Sequence, residues 1–483
     1  MPYDRHDRTH VLDDSRAYDV GLSDDAGGGN PLGFAIKVAY APTQFEVDRL
    51  DDYVKWTLFG IKTPENCPTC HAKPPYKSLQ IRPEDCDPAL GKTEGSQCGN
   101  EDGIRMTMYY YYSYTVRNYS WSGHFPYDYK EADKINARGI EGGPNWPMTE
   151  SLANATYRAF NFPHHVTTYL ALYYAARNTE LKTNHKWDWY LMRAANTTLA
   201  FGAPVTGVMD DTTFREILRA VEEEAEADPS RKDFKAAATT ITANMYSRAS
   251  GRFSQPYPYG SEFAFDTTGQ EAVVVWLLYF AKKTNNMMAA AKETVDHILS
   301  YMRSSGTWAY NGGSRSWGDL GNNGKWQATS GTGFETRGNF HYRSGLNAIP
   351  LLEWYRVHPD DFFLLEPGLG AVAGQMNNID EMGAPSMMMH MEPHIMDFDP
   401  HSGDFGLGYF GCSVQSGAYY VEHPEIGPSC YLCNMAKVGA AVKIAPVDLY
   451  HRRIYIEPLA LYLLRPIHTP RNPPFCHLFG SIL

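Results

Sequence analysis

Hydrophobic and polar positions change their period along this chain near Gly139. Before that point, short apolar runs at 33–40 (GFAIKVAY) and 54–61 (VKWTLFGI) stand between Gly, Pro and Asp residues, the pattern of β-strands. The aromatic and β-branched run at 106–116 (MTMYYYYSYTV) suits a sandwich strand as well. Residues 1–138 are therefore expected to be β-rich, part of a β-sandwich carrying a Cys-rich loop. After Gly139, helical spacing dominates at 164–178, 187–201, 213–227, 231–250, 267–283 and 293–304, and less cleanly at 342–357 and 430–444.

One helix stands apart. From Ala272 to Ala281 nearly every position is apolar, so this helix has no face to give to water and must lie inside a larger helical assembly. Asp266, Thr267 and Thr268 supply N-cap side chains ahead of it, with Glu271 at capping-box spacing from Thr268. The helices come in pairs joined by short polar turns, with pair starts near 164, 213, 267 and 342. Repeated αα-hairpins with one very apolar member suggest two concentric helical layers, an α/α toroid over 139–445. The strand-like segment HRRIYIEPLALYLL and an aperiodic tail make up 446–483.

Composition narrows the partners. A net charge of −12 without any basic run argues against nucleic acid and anionic membranes. No apolar span is long enough for a transmembrane helix. Aromatics reach 13%, with 33 Tyr and 10 Trp, and such rings stack on sugar faces while their polar edges stay wet. Cys67, Cys70, Cys86 and Cys98 cluster in one Pro/Gly-rich stretch, and Cys412, Cys430 and Cys433 in another. Grouped loop cysteines of this kind point to disulfides and a secreted protein. A four-Cys zinc knot is one alternative for the first group. The c-type haem pattern Cys67-Pro-Thr-Cys70-His71 is another. The charged N-terminus lacks a secretory h-region, so a truncated gene model is expected at both ends.

The alternation of buried and amphipathic helices, the preceding β-region, and the aromatic-acidic loops before the first helices of the pairs resemble the six-hairpin glycosidase-like superfamily. That resemblance covers about 140–445 and is architectural. It implies carbohydrate chemistry at a funnel formed by the loops at one end of the inner helices.

Four segments would converge there. The first carries Asn145, Trp146 and Glu150, followed by His164 and His165 at a helix start, where imidazoles can serve as acid or base near neutral pH. In the second, Tyr257, Tyr259, Glu262, Phe263, Phe265 and Asp266 lead into the greasy helix, and burial among rings would raise a carboxyl pKa as a general acid requires. The third, a Gly-rich stretch over 306–339, holds Trp317, Asp319, Trp326 and Glu335 and reads as a sugar-binding lid. Tyr342 and Arg343 form the fourth, at the start of the next helix.

The expected catalytic set is thus Glu262, Asp266, Glu150, Asp319, His164, His165, Tyr342 and Arg343, with Trp146, Tyr257, Tyr259, Trp317 and Trp326 binding substrate. The favoured chemistry is glycoside hydrolysis by paired carboxylates on a poly- or oligosaccharide. The alternatives are a polysaccharide lyase that uses His and Tyr on a uronate, and a non-catalytic glycan-binding protein. His390, Glu392, His394, Asp397, Asp399 and His401 are metal-ligand types at spacings that match no motif, so no metal or cofactor is expected, with structural calcium or zinc as the exception. A monomer is expected.

Overall fold

The computed structural model of the 483-residue protein describes residues 35, 38–39, 42–60, 78–86, 88–91, 99–105, 156, 161–202, 211–252, 270–281, 285–301, 339–376, 388–389, 418–431, 433–439, 441–446, 453–457, 461–464 and 476–478. Among these residues the protein is mainly helical, with a sheet region near the C-terminus.

The N-terminal region corrects the expectation of strands. Helix α1 (Gln44–Tyr53) opens on a capping box, in which the Glu46 amide donates to Thr43 Oγ1 at 3.3 Å and the Thr43 amide donates to Glu46 Oε2 at 2.8 Å. It runs into a π-helical turn, Val54–Leu58, where a strand was expected over 54–61. Val47, Leu50, Asp51, Val54 and Leu58 are all buried. Their spacing of three and four is helical, so the period of the buried side chains settled the local structure. Ala35, Val38 and Ala39 are helical too. In place of a β-sandwich, the described N-terminal residues contribute this helix and one antiparallel bridge, Gln80 to Ile104. The run at 106–116 lies outside the described residues.

Among the described residues eight helices follow as four hairpins: α2 (Asn161–Asn178) with α3 (Trp187–Phe201), α4 (Asp211–Ala227) with α5 (Lys232–Arg252), α6 (Gln270–Ala281) with α7 (Asn285–Tyr301), and α8 (His341–Val357) with α9 (Leu365–Met376). The first members pack side by side, α2 on α4, α4 on α6 and α6 on α8. Each second member also rests on the first helix of the next hairpin, α3 on α4, α5 on α6 and α7 on α8. Helix α6 is therefore enclosed by α4, α5, α7 and α8, which is why its sequence has no polar face. Ala272 to Leu278, Phe280 and Ala281 are all buried, with Trp276 wholly so.

The expected helix at 430–444 is instead β-structure. Strands β1 (Asn339–Phe340) and β2 (Met388–Met389) pair with each other. A four-stranded sheet runs in the order β4 (Gly427–Tyr431), β3 (Ala418–His423), β7 (Arg453–Ile456), β8 (Leu461–Leu464), and β3 and β7 are parallel. A three-stranded sheet joins β5 (Cys433–Val438), β6 (Ala441–Pro446) and β9 (Cys476–Leu478). Gly439, at φ +63°, makes the tight turn between β5 and β6 that breaks any helical reading. The last described helix ends at Met376, and the described residues from Ala418 onward form strands and their turns.

Alternation along β3 and β7 gives each strand two buried faces. Tyr419 and Tyr455 turn to the helices, where their rings lie 6.4 Å from that of Tyr355 on α8. Ala418, Tyr420, Ile454 and Ile456 share a second cluster with Ile444 of the other sheet. Among the described residues, two-sheet packing is therefore found on the C-terminal side of the helices. A Cys430–Cys433 disulfide links β4 to β5, so neither cysteine is left to pair with Cys412, the third of its group. Cys86 is disulfide-bonded as well. No described helix is long and apolar enough to cross a membrane.

Candidate functional site

Buried polar side chains in the helical layer are not spread evenly. His164, His165, Thr167 and Thr168 lie in the first turns of α2, Thr212 and Thr213 at the start of α4, Gln270 and Glu271 at the start of α6, and Asn347 in the second turn of α8. All are buried. Because these four helices are the first members of successive hairpins, their N-termini repeat in direction. The Thr167 and Thr213 hydroxyls, 3.4 Å apart, join the opening turns of α2 and α4 directly.

The far end of the same helices differs in chemistry. There Tyr173 Oη donates to Glu224 at 2.8 Å and Arg177 Nε to the same carboxylate at 2.7 Å, linking α2 to α4. Tyr279 Oη of α6 donates to Glu222 of α4 at 3.5 Å. Between the two ends, Arg215 in the second turn of α4 pairs with Glu353 of α8, which also accepts from Arg356. Charges there satisfy one another, as fold-holding charges must. At the N-terminal end the buried groups are mostly neutral, and the Thr168 and Thr212 hydroxyls meet no hydrogen-bond partner among the described residues.

Local sequence explains how that end is built. Pro163 sits in the first turn of α2, where its missing N–H costs no helical bond. Its carbonyl accepts from the Thr167 hydroxyl at 2.7 Å. Phe201, at the end of α3, has its ring centroid 5.2 Å from Phe162 of α2 and 5.4 Å from Phe214 of α4, closing the gap between helix ends. Arg248 near the end of α5 is buried at this end too, 5.9 Å from the Phe201 ring.

The N-terminal segment braces the α2–α3 hairpin. Gln44 donates to the Lys182 carbonyl and accepts from its amide, both at 2.9 Å. Asp51 accepts from the Asn184 amide at 2.5 Å and from Tyr190 Oη at 2.6 Å. Gln80 Nε2 donates to Asp102 and to Thr197, each at 2.8 Å, Arg193 donates to Asp102 at 2.7 Å, and Tyr169 Oη donates to Gln80 Oε1. Tyr53 Oη lies 3.5 Å from His165 Nδ1. Burial first, and then the neighbouring His164, lower the His165 pKa to about 3, so its imidazole is neutral at ordinary pH. Burial likewise raises the Tyr53 phenol, keeping it protonated.

Of the expected site residues, the structure places His164 and His165 inside the protein at the N-terminal end of the layer. Tyr342 and Arg343 lie in the first turn of α8, at the corresponding end, and their side chains are not among those described. Glu262, Asp266, Glu150, Asp319, Glu335, Trp146, Tyr257, Tyr259, Trp317 and Trp326 lie outside the described residues, as does the stretch from His390 to His401. Thr168, Thr212, Gln270 and Asn347 went unrecognised in the sequence. Their common signal is a buried polar residue within the first two turns of the first helix of a hairpin. Among the described residues no group of three His, Cys, Asp or Glu side chains could hold a metal ion. Neutral donors and acceptors beside one buried carboxyl, Glu271, suit recognition of hydroxyl-rich ligands.

The chain matches the model of a family of unknown function, DUF5695, over residues 1–72 and 88–465. It belongs to that family. The match takes in Gln44, Asp51, Tyr53 and Asp102 of the N-terminal brace, though not Gln80, together with the four described hairpins and β3 to β8. No curated protein and no solved structure matches the chain.

Proposed function

We propose that this protein is a secreted glycoside hydrolase with an α/α-toroid scaffold, cleaving a poly- or oligosaccharide with paired carboxylates. The observation that carries the reading is the set of buried polar side chains in the opening turns of α2, α4, α6 and α8, all at one end of the layer. The aromatic and acidic stretch with Tyr257, Tyr259, Glu262 and Asp266 leads directly into Gln270, the first residue of α6. Sugar recognition needs both features: hydroxyl-matching donors and acceptors, and rings to stack against. Four hairpins in two layers are consistent with a toroid. Disulfide bonding at Cys86 and between Cys430 and Cys433 supports an oxidising compartment.

In this reading Glu262 is the general acid and Asp266, Glu150, Asp319 or Glu335 supplies the second carboxylate. A separation of about 5–5.5 Å would give retention, and about 6.5–9.5 Å inversion. A uronate lyase acting through His164, His165, Tyr342 and Arg343 is the second reading. The burial of Arg248 at the same end favours it, since a cation there could neutralise a substrate carboxylate.

The test is incubation of the full chain with neutral and acidic polysaccharides, followed for reducing ends and for ultraviolet-absorbing unsaturated products. Reducing ends that fall about 10²–10⁴-fold in Glu262→Gln support the hydrolase. Unsaturated product with full activity in Glu262→Gln assigns the lyase. Sugar binding without turnover assigns a glycan-binding protein.

A further inference from the structure

Successive residues on a helix point about 100° apart, so the adjacent histidines of α2 cannot face the same way. His165 shares its stripe with Tyr169, one turn on. That stripe meets the N-terminal segment, with Tyr53 Oη 3.5 Å from His165 Nδ1 and the Tyr169 hydroxyl donating to Gln80. His164 shares its stripe with Thr167, whose hydroxyl is 3.4 Å from that of Thr213 on α4. His164 therefore looks along the layer of first helices, toward the polar cluster, and His165 looks away from it. Both are buried, so neither orientation is an accident of solvent.

We propose that the two histidines divide the work. His165 is a positioning residue, fixing the opening turn of α2 against the N-terminal segment through Tyr53, while His164 is the member of the pair that serves the polar cluster. The anchor behind Tyr53 is firm, because the segment is clamped to the hairpin at Gln44, Asp51 and Asp102. A site at the helix N-termini thus depends on a segment more than a hundred residues upstream of it. The assignment of His164 to a ligand rests on the glycan reading above, whereas the positioning role of His165 does not.

The experiment compares Tyr53→Phe, His165→Gln and His165→Asn in the full chain. Asn places its amide where Nδ1 of histidine sits and can keep the bond to Tyr53; Gln places it near Nε2 and cannot. Hydrogen exchange across residues 161–168 is expected to quicken about tenfold in Tyr53→Phe and His165→Gln, and to stay within about twofold of the parent in His165→Asn. Unchanged exchange in Tyr53→Phe and His165→Gln overturns the proposal, whatever the glycan assays give. Where a glycan from the panel is turned over, kcat should follow the same order, with Asn rescuing what Gln loses. Equal loss of kcat in both His165 variants with parental exchange would make His165 itself catalytic, and overturns it too. Absence of turnover on every glycan counts against the hydrolase reading and leaves the exchange result to decide the role of His165.

Discussion

Arg215 of α4 grips Glu353 of α8 with both ends of its guanidinium, Nη1 to Oε2 at 2.8 Å and Nη2 to Oε1 at 3.1 Å. The two helices are first members of hairpins separated by a third, α6, which packs on both of them. Arg356 donates to the same carboxylate from one turn further along α8. Glu353 therefore stands between two cations inside the protein.

Glu353→Ala should cost about 3 kcal/mol, because it leaves two largely buried cations without their shared counter-charge. Replacing both Glu353 and Arg215 by apolar residues should cost less than Glu353→Ala alone. Denaturant unfolding of the three chains checks the order, and a double variant worse than the single one would contradict it.

Gly368 of α9 approaches α8 closely. A methyl group on its Cα would come within 2.7 Å of Leu352 Cδ2 and 2.9 Å of Leu352 Cγ. Leu352 is wholly buried and cannot swing aside. An alanine in a free helix gains up to about 1 kcal/mol over glycine. Here the overlap should outweigh that gain and leave Gly368→Ala less stable, by about 1 kcal/mol or more. A raised melting temperature in Gly368→Ala would show that the α8–α9 contact is looser than the structure has it.

Much of the helical region was legible because burial there follows one period. The α3 boundaries came out as read, and the enclosure of α6 followed from its lack of any polar position. The misses have specific causes. Over 54–61, Lys55 and Thr57 interrupt apolar residues in a way that mimics strand alternation, and the helical stripe shows only when Val47 and Leu50 are counted with Val54 and Leu58. At 430–444 a loose helical spacing suggested helix, but Gly439 turns the chain and pairing of Val438 with Ala441 decides the structure. Helix α9 went unread because Gly368, Gly370 and Gly374 argue against a helix until the close approach to α8 explains the first of them. In the candidate site, two adjacent histidines at a helix start were conspicuous. Thr212 and Asn347 were not, since a buried polar residue looks like a solvated one until its neighbours are known.

Burial of His165 also makes the stability of the protein depend on acid. In the folded protein its pKa lies near 3, against an ordinary value of 6.5, because burial and the adjacent His164 both oppose a charge. Tyr53, which faces its Nδ1, stays protonated and adds no negative charge that would help. Unfolding therefore takes up a proton at His165 whenever the pH is below 6.5 but above about 3. The contribution to stability is fully present above pH 6.5 and is lost as the pH falls toward 3, at about 1.4 kcal/mol per pH unit. Carboxylates held by cations, such as Asp85 beside Arg82, add their own loss at lower pH, so the parent chain alone cannot isolate the histidine. The difference between parent and His165→Asn can, since asparagine has nothing to titrate. Two pH units below 6.5, the variant should have gained roughly 3 kcal/mol on the parent relative to neutral pH. Urea unfolding of both chains across that range measures it, and parallel stability curves would mean that His165 is protonated in the folded protein after all.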